Sequence, residues 1–329
     1  MRPFAYVPAT GAEQAVAAVT GDPGASFLAG GTTQLDLMKD GVLGPDRLVD
    51  ISRLPLRGTS AGETALRVGA LTTMEELAAD PVVVRRLPFV REALLQGASV
   101  QLRNLATIGG NLLQRARCRY FRDPAVAACN KRSPGSGCAA ITGVQRMHAV
   151  LGTSEHCIAL HASDLAVPLT ALDAVVHVQG VGGTRKIPLN RFYLLPGATP
   201  QVENVLEHGE MITAVEVPLL PETAASHYLK VRDRASYEFA LASAGVALVI
   251  EDGLIRQARV ALGGVGTVPW RAWDAEEILR GSPADAGVFR AAADAAMAGA
   301  RPLPGTEFKV DLARRTLVRA LETVAGAHS

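Results

Sequence analysis

The chain has 329 residues, 48% of them hydrophobic and 20% charged, a balance ordinary for a folded globular protein with room for two or three domains. A net charge of +1 and an aromatic content of 5% leave no electrostatic or stacking case for a nucleic-acid partner. No apolar run approaches the length of a membrane span, so no membrane insertion is expected. The opening Met1-Arg-Pro-Phe-Ala-Tyr-Val-Pro8 lacks the apolar core and cleavage site of a signal peptide.

From the N-terminus, residues 13–19 are alanine-rich and helical, and residues 26–29 form a short apolar strand running into Gly30-Gly31. Residues 34–39 read as a helix and 47–51 as a second strand, so the start is a small α/β unit. Thr73-Met-Glu-Glu76 has the form of a capping box, in which a Thr hydroxyl and a Glu carboxylate satisfy each other's backbone amides. A longer helical pattern covers 83–95. Regular structure then stops. Residues 114–153 are rich in Arg, Pro, Gly and Ser, with turn chemistry throughout Asn130-Lys-Arg-Ser-Pro-Gly-Ser-Gly137. It resumes with a helix near 165–172 and a strand at 174–178. After a shift in composition at Pro218-Leu-Leu-Pro-Glu222, strands are predicted at 228–232, 243–251 and 255–262. Helices at 272–279, 287–297 and 310–324 follow, the order of an α+β domain.

All four cysteines, Cys118, Cys129, Cys138 and Cys157, fall within forty residues of the irregular segment. Their spacing is C-x10-C-x8-C-x18-C, without the close C-x2-4-C pair usual in a structural zinc site. A disulfide framework needs an oxidising compartment, and clustering in one loop offers little stapling. Four thiolates in a wrapping loop suit one iron–sulfur cluster, which accepts irregular spacing. Arg115, Arg117, Arg119, Arg122, Lys131, Arg132 and Arg146 surround them and would offset an anionic cluster. Zinc and structural thiols stay open as alternatives. His148 and His156 lie nearby, read as ordinary loop residues.

Two glycine turns carry the other signal. Phe27-Leu28-Ala29-Gly30-Gly31-Thr32-Thr33 and Thr107-Ile108-Gly109-Gly110-Asn111 let backbone amides approach phosphate oxygens, with hydroxyl donors beside them. Neither is a G-x-G-x-x-G or a P-loop, and each alone is weak, but two could clamp the two halves of a diphosphate.

Together with Phe4-Ala-Tyr6, Leu28-Ala-Gly-Gly-Thr-Thr-Gln-Leu-Asp-Leu-Met-Lys39, Leu48-Val-Asp-Ile51, Arg103-Asn-Leu-Ala-Thr107, Ser163-Asp-Leu165 and Gly209-Glu-Met-Ile-Thr213, these turns resemble the FAD-binding, or medium, subunit of xanthine-oxidase-family molybdenum hydroxylases. The cysteine loop, with Cys118-Arg-Tyr-Phe-Arg-Asp123 and Ala149-Val-Leu-Gly-Thr-Ser-Glu-His-Cys157, resembles the bacterial aldehyde oxidoreductase branch, whose flavin subunit carries an extra [4Fe-4S] cluster. The flavin subunit of hydroxybenzoyl-CoA reductase is the nearest confusable relative.

The resemblance implies an α+β fold: a two-part FAD-binding domain over 1–220, with subdomains about 1–55 and 56–220 and an iron–sulfur insertion about 114–157. A C-terminal α+β domain of a three-stranded sheet with helices would follow over 222–329. It implies FAD held by Leu28, Ala29, Gly30, Gly31, Thr32, Thr33 and Gln34 and by Thr107, Ile108, Gly109, Gly110 and Asn111, with Ile108 near the isoalloxazine. Asp164 would bind FAD hydroxyls or cap the helix after it, Ile212 would pack near the flavin, and Lys230 would lie near the ring. Cys118, Cys129, Cys138 and Cys157 would hold the [4Fe-4S] cluster.

The implied partners are a large molybdopterin-binding subunit that oxidises aldehyde, a small [2Fe-2S] subunit, and an external electron acceptor. The extra cluster would relay electrons or hold the loop; because FAD already completes the chain, a mainly structural part is favoured. A free-standing FAD oxidoreductase and a zinc-stapled nucleotide-binding module are the competing readings. The implied location is cytoplasmic, or periplasmic by co-export with a signal-bearing partner.

Overall fold

The alternation of short apolar runs and alanine-rich stretches at the start folds as a strand–helix–strand unit. In the computed structural model, which describes residues 1–327, strands Ala5–Pro8, Arg47–Asp50 and Ala25–Leu28 lie parallel in that order. Helix Ala12–Thr20 covers them, burying Ala15, Val16 and Val19, the apolar positions that share one face at helical spacing. The Leu28↔Asp50 register brings the glycines after Leu28 to the carboxyl edge of this sheet, where ligands of open parallel sheets are usually found.

The middle of the chain builds an antiparallel sheet ordered Thr59–Ala61, Ala65–Gly69, Met211–Pro218, Val175–Gly180 and Gly183–Pro188. Helices pack on it around a core that includes Leu66, Phe89, Leu94, Val176 and Phe192. The capping box at Thr73 and Glu76 is present and starts helix Met74–Ala79. The helix expected over 83–95 is two helices, Pro81–Arg86 and Pro88–Gln96. Pro88 has no amide to donate and its ring disfavours helical geometry at Leu87, where the chain turns.

The third sheet is antiparallel, ordered Trp270–Arg271, Leu254–Gly263, Ala242–Glu251 and Ala225–Val231. The expected three strands are therefore four. Two residues are too few to show a period, and Trp270–Arg271 joins only by pairing with Leu262 and Ala261. Helices Trp273–Leu279, Ala286–Ala296 and Phe308–Gly326 form a second core against this sheet with Val246, Leu248 and Val260. The chain is thus α+β, a two-part N-terminal domain followed by a C-terminal domain. The last two residues of the span expected to end at 329 lie outside the described range. Among the described residues no helix is long and apolar enough to cross a membrane.

Candidate functional site

The two glycine turns meet. Strand Ala25–Leu28 ends, the chain passes through Gly30 and Gly31, and helix Gln34–Lys39 begins. A Cβ on Gly30 would stand 1.8 Å from the Leu105 carbonyl oxygen, so the first turn lies against the backbone that leads into the second. Gly31 has φ +72, a conformation glycine adopts without cost. Thr107 Oγ1 accepts the Gly110 amide at 3.3 Å and caps helix Ile108–Leu112. Gly109 donates to Ala70 O at 2.9 Å, with no room for a side chain beside Ala70 Cβ. The amides of Gly30, Gly31, Thr32 and Thr33 donate to no protein atom among the described residues. Such a row of free donors in a concave turn is what a diphosphate needs.

Two cavities open from this junction. One, of about 180 Å³, is lined by Ala29, Gly30, Gly31, Gln34, Thr107 and Ile212 among others. The other, of about 310 Å³, reaches Asn111, Asp164, Lys230 and the segment Arg234 to Phe239. Thr32, Thr33 and Gly110 line both, so an elongated ligand passing between the turns would occupy the pair. Leu28 and Ile108 line neither. Ile108 is 1% exposed in the main core, and its amide donates to Thr72 O. Leu28 sits behind Gly31.

Asp164 takes a different part from the cap considered for it. Ser163 Oγ accepts the Ala166 amide at 3.0 Å, and also donates to Asn111 Oδ1 at 2.6 Å. Asp164 instead accepts from Tyr228 Oη at 2.6 Å and from Lys230 Nζ at 2.7 Å, across to strand Ala225–Val231. Burial pushes its carboxyl up, against the pull of Lys230 and Tyr228. The Lys230 side chain is 1% exposed and also donates to Gln96 O, so this buried pair ties the cavity wall to the third sheet. Sequence reasoning missed Gln114, Tyr237 and Phe239 on that wall. Arg117, noted only as a loop cation, stacks over the Phe239 ring at 5.0 Å. No local pattern marks Phe239, which reaches Arg117 only through the tertiary fold.

The cysteine segment is ordered by hydrogen bonds rather than by long elements. Cys129 and Cys138 face each other in an antiparallel bridge, closed by Asn130 N to Gly137 O at 2.7 Å and Ala139 N to Ala128 O at 2.9 Å. Asn130 Nδ2 donates to His156 O, drawing in the turn that carries Cys157. All four cysteines are free thiols. Cys118 packs against two small clusters, Leu37, Phe121 and Cys129 in one and Ala116, Cys157 and Ala159 in the other. Burial pushes the Cys118 thiol up to about 11 and raises Cys157, with the other cysteines adding in the same direction. Backbone amides of Phe121 and Tyr120 are aimed at Cys118 and that of Ala159 at Cys157 Sγ, 3.4 Å away.

Among the described residues no three His, Cys, Asp or Glu side chains converge on one metal ion. Thiolates round one zinc stand about 3.8 Å apart, from a Zn–S length near 2.3 Å. Four free cysteines gathered in one loop are the donor chemistry that a four-iron cluster takes.

Most of the loop cations are also paired with carboxylates or carbonyls, while Lys131 still favours the charged form of Cys157. Arg117 and Arg122 pair with Asp36 at 2.8 and 2.6 Å, Arg115 and Lys131 share Glu203, and Arg146 pairs with Asp233 at 2.8 Å. Arg132 donates to the carbonyls of Tyr120, Phe121 and Val126. They staple the loop to its surroundings. Burial works against the Glu203 charge, but Arg115 and Lys131 outweigh it and hold the carboxyl below its usual range. A lowered folded value means the stabilisation is complete above the ordinary carboxylate pKa and is lost as pH falls through the lowered one. Glu203→Gln is accordingly expected to flatten the acid limb of a melting-temperature profile; an unchanged limb would show that the pair carries no linkage.

The comparisons agree with this geometry. A family described as the FAD binding domain in molybdopterin dehydrogenase matches residues 2–220, and the CO dehydrogenase flavoprotein C-terminal domain matches 227–324. The aldehyde oxidoreductase FAD-binding subunit PaoB of Escherichia coli is 46% identical over 327 residues, 98% of each chain. The glyceraldehyde dehydrogenase medium chain of Sulfolobus acidocaldarius is 28% identical over 84% of this chain and 81% of its own. A solved carbon monoxide dehydrogenase from Hydrogenophaga pseudoflava superposes with a TM-score of 0.77 at 26% identity, covering 99% of this chain and 98% of that one. The chain belongs to the FAD-binding medium subunits of the xanthine-oxidase family of molybdenum hydroxylases, and is an oxidoreductase subunit.

Proposed function

We propose that this chain is the FAD- and [4Fe-4S]-carrying electron-transfer subunit of a molybdenum-dependent aldehyde oxidoreductase. It would work beside a large molybdopterin-binding subunit, where aldehyde is oxidised, and a small subunit with [2Fe-2S] clusters, and pass electrons to an external acceptor. The 46% identity to an aldehyde oxidoreductase subunit supports the substrate class. FAD, when bound, supplies a centre that takes electrons singly and releases them in pairs.

The observation that carries the reading is that the cavity beside the glycine turns adjoins one that Cys118 lines. A third cavity, of about 150 Å³, is lined by Cys118 at one end and shares Arg117, Ala162, Asp164 and Phe239 with the cavity beside Lys230. In this reading Ala29 to Thr33 and Thr107 to Asn111 hold the diphosphate and ribityl chain through their backbones. Asp164 and Lys230 fix the wall, and Cys118, Cys129, Cys138 and Cys157 hold the cluster. The domains are those of the sequence division, 1–220 with its iron–sulfur loop at about 114–157, and 222–329. The compartment follows the partner's signal, cytoplasm without one and periplasm with one.

An anaerobic absorption spectrum of the purified chain, with iron, sulfide and flavin assayed together, tests this. Flavin bands over broad cluster absorption, with about four irons per chain, are expected. Flavin without iron would remove the cluster and leave the flavin assignment; zinc without flavin would remove both. Cys138→Ser is expected to lower stability and assembly more than flavin reduction, and a melting temperature equal to wild type would end the structural part given to the cluster.

A further inference from the structure

Two buried groups beside the thiols have no part in the reading above. His148 is 3% exposed, and its Nε2 lies 3.2 Å from Cys118 Sγ. Its other ring nitrogen, Nδ1, is buried with no hydrogen-bond partner. Behind it, Lys309 on helix Phe308–Gly326 is 0% exposed and donates through Nζ to His148 O at 2.9 Å. No carboxylate pairs with Lys309 among the described residues. The nearby cation Arg146 is already paired with Asp233 and stacked on the Phe308 ring at 4.8 Å. Burial pushes the Lys309 amine down to about 7, so the His148 carbonyl, and not a counter-charge, holds it in place.

We propose that His148 and Lys309 are positioning residues that set the reduction potential of the cluster: His148 donates an Nε2–H···S hydrogen bond to Cys118, and Lys309 holds His148 in place through its carbonyl. The inference rests on the proposed assignment of Cys118 as a cluster ligand. A ligating cysteine is a thiolate without a proton, so a favourable contact at 3.2 Å requires that Nε2 carry the hydrogen. This leaves the unpartnered Nδ1 as a bare acceptor, less costly than a buried N–H with nowhere to donate. The Lys309 bond to His148 O and the His148 N bond to Gln145 O at 2.8 Å fix the backbone, and with it the reach of the ring. Taking up one electron adds a negative charge to an already anionic cluster. A hydrogen bond to its sulfur favours that reduced form and raises the potential.

The experiment is a dithionite-poised, EPR-monitored redox titration of the full chain, with iron and flavin counted on each sample. His148→Leu and Lys309→Met are each expected to keep flavin and about four irons. Each should lower the midpoint by about tenfold in the reduced-to-oxidised ratio, ~59 mV for a one-electron couple. His148→Gln, which restores an N–H donor, should recover part of the shift. Midpoints of both apolar variants equal to wild type, with iron retained, would overturn the inference and leave the cluster standing. Should His148→Leu lose iron, the Lys309→Met and His148→Gln midpoints decide in the same way. An iron-free wild-type chain would instead overturn the cluster assignment, and this inference with it.

Discussion

Gly30→Ala is expected to yield a chain that purifies without flavin, or that does not accumulate as folded protein. The new Cβ would stand 1.8 Å from Leu105 O and 2.8 Å from Leu105 C, both backbone atoms. A flexible side chain could swing aside, but here one of the two turns has to move. Ordinary overpacking costs about 1–3 kcal/mol, and a forced backbone shift belongs at or above the top of that range. The same shift separates the free amides of Gly30 to Thr33 from the second turn, so binding is affected more than stability. Gly182→Ala is the control, since a Cβ there meets nothing within 4 Å. Flavin-to-protein ratio by absorbance measures the effect; a Gly30→Ala chain with a full complement of flavin would mean that the two turns do not clamp the ligand together.

Asp164→Leu is expected to destabilise the chain by about 3–5 kcal/mol, the usual result of removing one member of a buried ion pair. The charge left behind is that of Lys230, whose side chain is 1% exposed and keeps only Gln96 O as a partner. Tyr228, 0% exposed, loses its acceptor in the same step. Adding Lys230→Met should recover much of the loss, because a wholly apolar pair no longer contains an unpaired buried charge. Chemical denaturation of the single and double variants gives both numbers. A single variant as stable as wild type would mean that the pair joins the cavity wall to the third sheet in geometry alone.

The sequence by itself determined what local patterns encode. The capping box at Thr73, helix Gln34–Lys39, both glycine turns and the confinement of four thiols to one loop all follow from residues close in the chain. The three longer strands and the helices after residue 222 were legible for the same reason, since each is long enough to show its period. Thr59–Ala61, Gly183–Pro188 and Trp270–Arg271 were not; such edge strands are short and take their identity from the strand they join.

The tertiary structure decided which groups face each other. It turned Ile108 into the core, gave the helix cap to Ser163 and freed Asp164 for Lys230, and bound the loop cations to Asp36, Glu203 and Asp233. It also brought Lys309, from the last helix, to the backbone of His148, and His148 to Cys118. Apart from the Ser163 cap, these pairs lie from 30 positions apart, for His148 and Cys118, to 161, for Lys309 and His148. No periodicity spans such distances, and a charged side chain takes whichever partner the packed backbone places within about 3 Å of it.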